Sequence, residues 1–158
     1  MNLAIKPAPV KKSISVVATP ETAFRVFTAG FDRWWPRTHS IGEAPLKTAV
    51  IEPAVGGRWY GILENGAEAE WGEVLAWEPP RRLLLAWRIG ADWTYDSSLL
   101  TEVEVTFTPE AGATRVELEH RLLENMGAAG EGARAQFDSD GGWSGLLAMF
   151  AARAAEAE

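Results

Sequence analysis

Between residues 47 and 122 the chain reads as a succession of short alternating runs, each closed by a turn signal. The runs 47–52, 58–63, 68–77, 82–89, 99–108 and 114–122 are separated in turn by Gly56-Gly57, Asn65-Gly66, Pro79-Pro80, a Gly/Asp/Trp loop over 90–98, and Ala111-Gly112. Asn-Gly reaches the positive φ of a tight hairpin at little steric cost, and paired prolines end a hydrogen-bonded ladder. Strands this short, with turns about every ten residues, join as an antiparallel meander.

The period changes after residue 122. Trp143, Leu146, Leu147, Phe150 and Ala154 recur at helical spacing and form one apolar stripe, with Ser139 or Asp140 as the cap. A helix of ~17 residues is ~25 Å long, enough to lie across a sheet. At the other end, 10–18 alternates as a strand. Thr19-Pro20-Glu21 then starts a helix with a hydroxyl cap, a first-turn proline and an acid at the positive end of the dipole. Ala23, Phe24, Val26 and Phe27 supply its buried face, and Gly30 is expected to end it in the left-handed conformation. Residues 31–35 add a second short turn, stopped by Pro36, and part of the Ala/Gly-rich stretch 124–138 is helical. The fold class is therefore α+β: a strand, one or two short helices, six antiparallel strands and a long terminal helix covering one sheet face. Residues 1–9 read as a flexible lead-in and 10–158 as a single domain.

Composition removes several function classes. The chain has no cysteine, so disulfides, a thiol nucleophile and Cys-ligated metals are excluded. A net charge of −7 without a basic cluster argues against nucleic acid. No apolar run approaches a membrane span, and the Pro-broken start does not resemble a signal sequence; a cytoplasmic, soluble protein is expected. No cofactor is expected either, because two histidines with Glu73 or Asp92 show no metal-ligand spacing. No Gly-x-Ser-x-Gly elbow or phosphate loop is present.

What stands out is eight tryptophans in 158 residues. Trp35, Trp59, Trp71, Trp87, Trp93 and Trp143, together with Leu147 and Phe150, read either as core or as walls of a partly open apolar cavity. Indole N–H groups need partners and cavities of this kind carry few polar groups. Alternation puts His120 on the apolar face with Val116 and Leu118, where it is a satisfied core residue, a ligand contact or a general base. His39, after Trp34-Trp35, sits either at a pocket mouth or as a loop cap. Strand 68–77 leaves two faces open: Trp71, Glu73, Leu75 and Trp77 inward, with a buried Glu73, or Gly72, Val74 and Ala76 inward, with Glu73 at the surface. Arg58 and Glu73 complete the candidate polar contacts.

Three segments carry a resemblance: Thr19-Pro20-Glu21-Thr22-Ala23-Phe24-Arg25-Val26-Phe27; Gly56-Gly57-Arg58-Trp59 with Trp71-Gly72-Glu73-Val74 and Pro79-Pro80-Arg81-Arg82-Leu83 to Ala86-Trp87; and Gly142-Trp143-Ser144-Gly145-Leu146-Leu147. Together they resemble the SRPBCC (START/birch-pollen-allergen-like) superfamily, in the largely bacterial branch named for its similarity to an activator of a heat-shock chaperone's ATPase. The resemblance implies a helix-grip fold, in which a curved antiparallel sheet wraps a long C-terminal helix and leaves a lipid-binding-like cavity between them. It implies no single reaction and no shared catalytic set. Three functions follow as expectations: binding of a small apolar or aromatic molecule; a cyclase, hydratase or hydrolase pairing His120 with a carboxylate such as Glu73; or a chaperone-associated or regulatory protein–protein module. A homodimer is compatible with each.

Overall fold

The computed structural model describes residues 6–157; within the expected lead-in, residues 1–5 lie outside the described ones. Of the remainder, Pro7 is buried and the Arg134 guanidinium donates to the carbonyls of Ala8 and Pro9, so this part of the lead-in is docked.

Seven strands form one antiparallel sheet: β1 (Val10–Val16), β2 (Leu46–Ile51), β3 (Arg58–Leu63), β4 (Glu68–Glu78), β5 (Arg82–Trp87), β6 (Thr101–Glu110) and β7 (Ala113–Arg121). Their order is β1-β7-β6-β5-β4-β3-β2, a meander from β2 to β7 to which the first strand adds beyond β7. The chain must then travel from one sheet edge to the other between β1 and β2. It does so through α1 (Pro20–Phe27) and α2 (Phe31–Trp34). The sheet curls into a half-barrel, and its concave side is closed by α3 (Gly130–Asp138) and α4 (Trp143–Glu156). This is the helix-grip α+β architecture.

Local chemistry explains the elements. The Thr19 hydroxyl accepts from the Thr22 amide at 3.2 Å and caps α1 as expected. Its end differs from the expectation: Gly30 has φ −90° and opens α2, while the Thr28 hydroxyl donates to the Phe24 carbonyl at 2.7 Å and closes the last turn. The terminal helix likewise starts a little later than expected. Neither Ser139 nor Asp140 caps α4; Gly142 stands at its start, where a Cβ would lie 2.4 Å from the carbonyl oxygens of both Gln136 and Phe137. Only glycine allows the two helices to approach this closely.

The core lies between the concave sheet face and the helices. Trp143, Leu146, Leu147, Phe150 and Ala154 of α4 are all buried, and Phe150 packs edge-on to Phe27 at 5.2 Å and Trp34 at 5.6 Å. Each large side chain withdrawn from water in this way contributes roughly 1.5–3 kcal/mol. The opposite sheet face carries ion pairs, among them Arg82–Glu104 at 2.5 Å and Arg121–Glu102 at 2.9 Å. These are partly exposed, so each adds at most about 1 kcal/mol and mainly keeps that face wet.

Strand β4 resolves into neither of the two expected faces. Its register slips between Trp59 and Tyr60 of the β3 pairing and between Val74 and Ala76 of the β5 pairing. Each slip is a bulge that resets the alternation. Trp71, Val74 and Trp77 therefore all reach the interior. Directly opposed residues share a face, and Glu73 lies in the row Glu73–Ala86–Glu102–Arg121, whereas His120 lies in the row Val74–Leu85–Val103–His120. Glu73 thus points outward, away from His120.

Candidate ligand-binding site

A cavity of about 460 Å³ opens between the concave sheet, the loop after α2, the loop after β5 and the α3–α4 junction. Six of the residues expected from sequence line it: Trp35, His39, Trp71, Trp87, Trp93 and Trp143. Three expected wall residues lie instead in the packed layer beneath. Trp59 is enclosed by Phe31, Trp71 and Trp87; Leu147 and Phe150 are fully buried, Phe150 against Phe27 of α1 and Trp34 of α2.

The lining rings are held by the protein itself. The Trp35 indole N–H donates to the His39 carbonyl at 2.7 Å, that of Trp87 to the Ile89 carbonyl at 2.9 Å, and that of Trp143 to Nδ1 of His120 at 3.1 Å. With their polar edges satisfied, these rings turn apolar surface to the cavity at little further entropic cost. Trp71 differs: its buried N–H, like that of Trp59, has no hydrogen-bond partner among the described residues, and both indoles pack edge-to-face with Phe31. Trp93 stands at the mouth with φ 61°, 47% exposed, its ring 6.3 Å from Phe137. Its turn is fastened by Asp92, whose carboxylate accepts from the Thr94 amide and hydroxyl; the hydroxyl bond holds the Asp92 carboxyl below its usual range. A bulky residue at positive φ costs on the order of 1–2 kcal/mol, so the fold tolerates strain to present this indole to solvent.

His120 is fully buried behind the Trp87 and Trp143 rings. Trp143 can only donate, so Nδ1 is an acceptor and Nε2 carries the proton of the neutral ring. The Thr101 hydroxyl spends its own proton on the Trp87 carbonyl at 2.8 Å and hence accepts from Nε2 at 3.0 Å. The relay Trp143–His120–Thr101–Trp87 is complete, and burial drives the His120 pKa down to about 3. A neutral imidazole with both nitrogens committed and no path to the cavity cannot serve as a general base. The pairing of His120 with Glu73 is overturned by the same geometry. Glu73 accepts from Arg88 on the outer face, with Nη2 to Oε1 at 2.5 Å. Arg58 is also outside, hydrogen-bonded to Glu68 and Glu70 and stacked on Tyr60 at 3.8 Å. Neither is a polar contact of the cavity.

The polar side chains at the cavity are Thr38, His39, Ser40, Gln136 and Ser139, of which His39 alone is titratable. Its Nε2 lies 2.7 Å from the Gly141 carbonyl and its Nδ1 3.0 Å from the Thr38 hydroxyl, so it straps the loop after α2 to the α3–α4 junction. Phe137, not anticipated from sequence, is the hub of the mouth, 4.4 Å from His120 and 5.4 Å from Trp87. Its signal was present: Gly130, Ala133 and Phe137 form the buried stripe of α3. Among the described residues no three His, Asp or Glu side chains are grouped as for a metal ion, and no helix is long and apolar enough to cross a membrane.

Comparison with known proteins places this geometry. The chain is 36% identical to the structure of an anthrahydroquino-γ-pyrone synthase, Txn09, over 93% of this chain and 97% of the other, with a TM-score of 0.65. It is 32% identical to CalC, a self-sacrificing resistance protein from Micromonospora echinospora, over 94% of each chain, with a TM-score of 0.70. The Aha1 dimer from Colwellia psychrerythraea shares the fold at 15% identity, with 92% and 94% coverage and a TM-score of 0.61. No curated protein matches. Residues 17–155 match the family described as Activator of Hsp90 ATPase homolog 1-like protein, and the chain belongs to that family, within the SRPBCC fold group.

Proposed function

We propose that this chain acts as one domain that binds a small, flat aromatic molecule in its tryptophan-walled cavity. The observation that carries the reading is that Trp35, Trp87 and Trp143 are each fixed by an internal hydrogen bond with apolar surface left facing the cavity. A volume of about 460 Å³ falls in the range of small-molecule sites, roughly 300–1,000 Å³. The likeness to a synthase whose name describes a fused-ring aromatic pyrone supports the same ligand class. Trp35, Trp71, Trp87, Trp93 and Trp143 are the walls, and His39 is the polar contact.

Intrinsic tryptophan fluorescence tests this. Hydroxyanthraquinones and flavonoids should quench it saturably, whereas a saturated fatty acid should not; the reverse ranking sinks the reading. Trp93→Gly sharpens the test. Glycine adopts φ 61° without strain, so stability should hold or rise slightly. Affinity should fall about tenfold for the loss of one aromatic wall.

A second reading, an enzyme of the cyclase type in the same cavity, is favoured by the 36% identity to Txn09. In this chain it has to use the cavity mouth, because His120 and Glu73 are committed elsewhere.

A further inference from the structure

We infer that Thr38 and His39 form a proton relay at the cavity mouth, and that the site accepts a planar phenol whose hydroxyl group it deprotonates. The inference rests on the aromatic-pocket reading above and adds the chemistry of the ligand's edge.

The hydrogen-bond pattern fixes the direction of the relay. A carbonyl only accepts, so the 2.7 Å contact to Gly141 assigns the proton of neutral His39 to Nε2. Nδ1 then presents its lone pair, and the Thr38 hydroxyl donates to it across 3.0 Å. A hydroxyl has one proton and two lone pairs, so Thr38 Oγ1 keeps acceptor capacity after that donation. An imidazole oriented on one side by a backbone carbonyl and bonded on the other to a hydroxyl is the arrangement that activates oxygen in acyl- and proton-transfer sites. The backbone holds it in place, since the Trp35 indole grips the His39 carbonyl. Thr38 and His39 both line the cavity; Thr38 is exposed and His39 half-buried, unlike the sealed His120.

Proton bookkeeping closes. The ligand O–H bond breaks and its proton passes to Thr38 Oγ1 as the Thr38 proton passes to His39 Nδ1. The products are a phenolate in the cavity and an imidazolium whose Nε2–H remains on Gly141. The charged groups on the two rim loops are Arg37, paired with Asp32 at 2.9 Å, Glu43, and Asp140, beside the accepting glycine. Among the described residues no other titratable side chain lines the cavity.

Alizarin, a dihydroxyanthraquinone whose visible band moves when it ionises, is the probe. Wild type, His39→Gln and Thr38→Val are saturated with it and scanned across neutral pH. The glutamine of the first variant retains an amide donor for the Gly141 strap, and the valine of the second retains the shape of threonine. Both variants therefore keep the tryptophan walls, and working at saturation takes any change in affinity out of the comparison. The ionisation constant of bound alizarin should be about tenfold larger in wild type than in His39→Gln, the ratio set by one charge-assisted partner. Thr38→Val should move it in the same direction. Comparing variants with wild type removes the opposing effect of burial, common to all three. Equal constants in wild type and His39→Gln overturn the relay and leave the aromatic pocket standing. A loss in His39→Gln without one in Thr38→Val overturns the role of Thr38. Failure of wild type to bind alizarin overturns both readings together.

Discussion

Lowering the pH from 6.5 to 4.5 should cost the folded protein about 2 kcal/mol through His120 alone. An unfolded chain exposes this imidazole, which then takes up a proton near its ordinary value of 6.5, whereas in the folded state burial holds it neutral down to about 3. Protons therefore bind the unfolded state preferentially throughout that interval. The stability contribution is full above 6.5 and is lost as pH falls toward 3, at up to about 1.4 kcal/mol per pH unit. Carboxylates add their own loss at lower pH. Glu104, held down by Arg82 and Arg121, and Asp138, held down by Lys12, begin to matter only near and below their ordinary values of 4.5 and 3.8. Urea unfolding at a series of pH values above about 4.5, read as the difference between wild type and His120→Leu, isolates this histidine from His39. His120→Leu should start less stable, because it orphans the Trp143 N–H, yet it should lack this slope across the window. A wild-type curve parallel to that of the variant would show that His120 is protonated inside the fold.

That same histidine marks what the sequence could and could not disclose. Its inward direction was legible, because strand alternation is local and Val116, Leu118 and His120 share a parity. Its role was not, since the two groups that fix it, Trp143 and Thr101, arrive from other elements, 23 and 19 residues away. The meander, α1 and the stripe of α4 were readable for the same local reason. Glu73 was undecidable because a bulge is a relation between strands: the slips that flank it depend on what β3 and β5 place opposite. The strap at the cavity mouth joins His39 to Gly141 across 102 residues, a closure that no spacing rule announces. The tryptophans stood out as a group, but composition could not separate the walls from Trp59, which packs one layer deeper. The start of α4 was misplaced at Ser139 or Asp140 because a polar cap is a local signal, whereas Gly142 stands there on account of its close approach to Gln136 and Phe137.

Gly72→Ala should be the most destabilising single methyl added anywhere in the sheet, costing about 3 kcal/mol or more. Gly72 lies opposite Trp59 on β3 and opposite Trp87 on β5, next to the first bulge. The two indoles meet over this row with ring centroids 5.5 Å apart. Beside this bulge the β4 backbone runs so near β5 that a Cβ would sit 1.7 Å from the Ala86 carbonyl oxygen, with the carbonyl carbon at 2.8 Å. Backbone cannot swing aside as a side chain does. The strands must part, and parting them breaks ladder hydrogen bonds where Trp87 and Trp71 are set into the cavity wall. The site should therefore fail together with the fold: the midpoint of urea unfolding should drop, and residual folded protein should bind aromatic ligands poorly. Gly66→Ala supplies the control. A Cβ there meets nothing within 4 Å, so its cost is confined to the strain of φ 86°, on the order of 1–2 kcal/mol, with ligand binding intact. If Gly72→Ala costs no more than Gly66→Ala, the close approach of β4 and β5 is not what orients the tryptophans, and the bulge has no part in building the site.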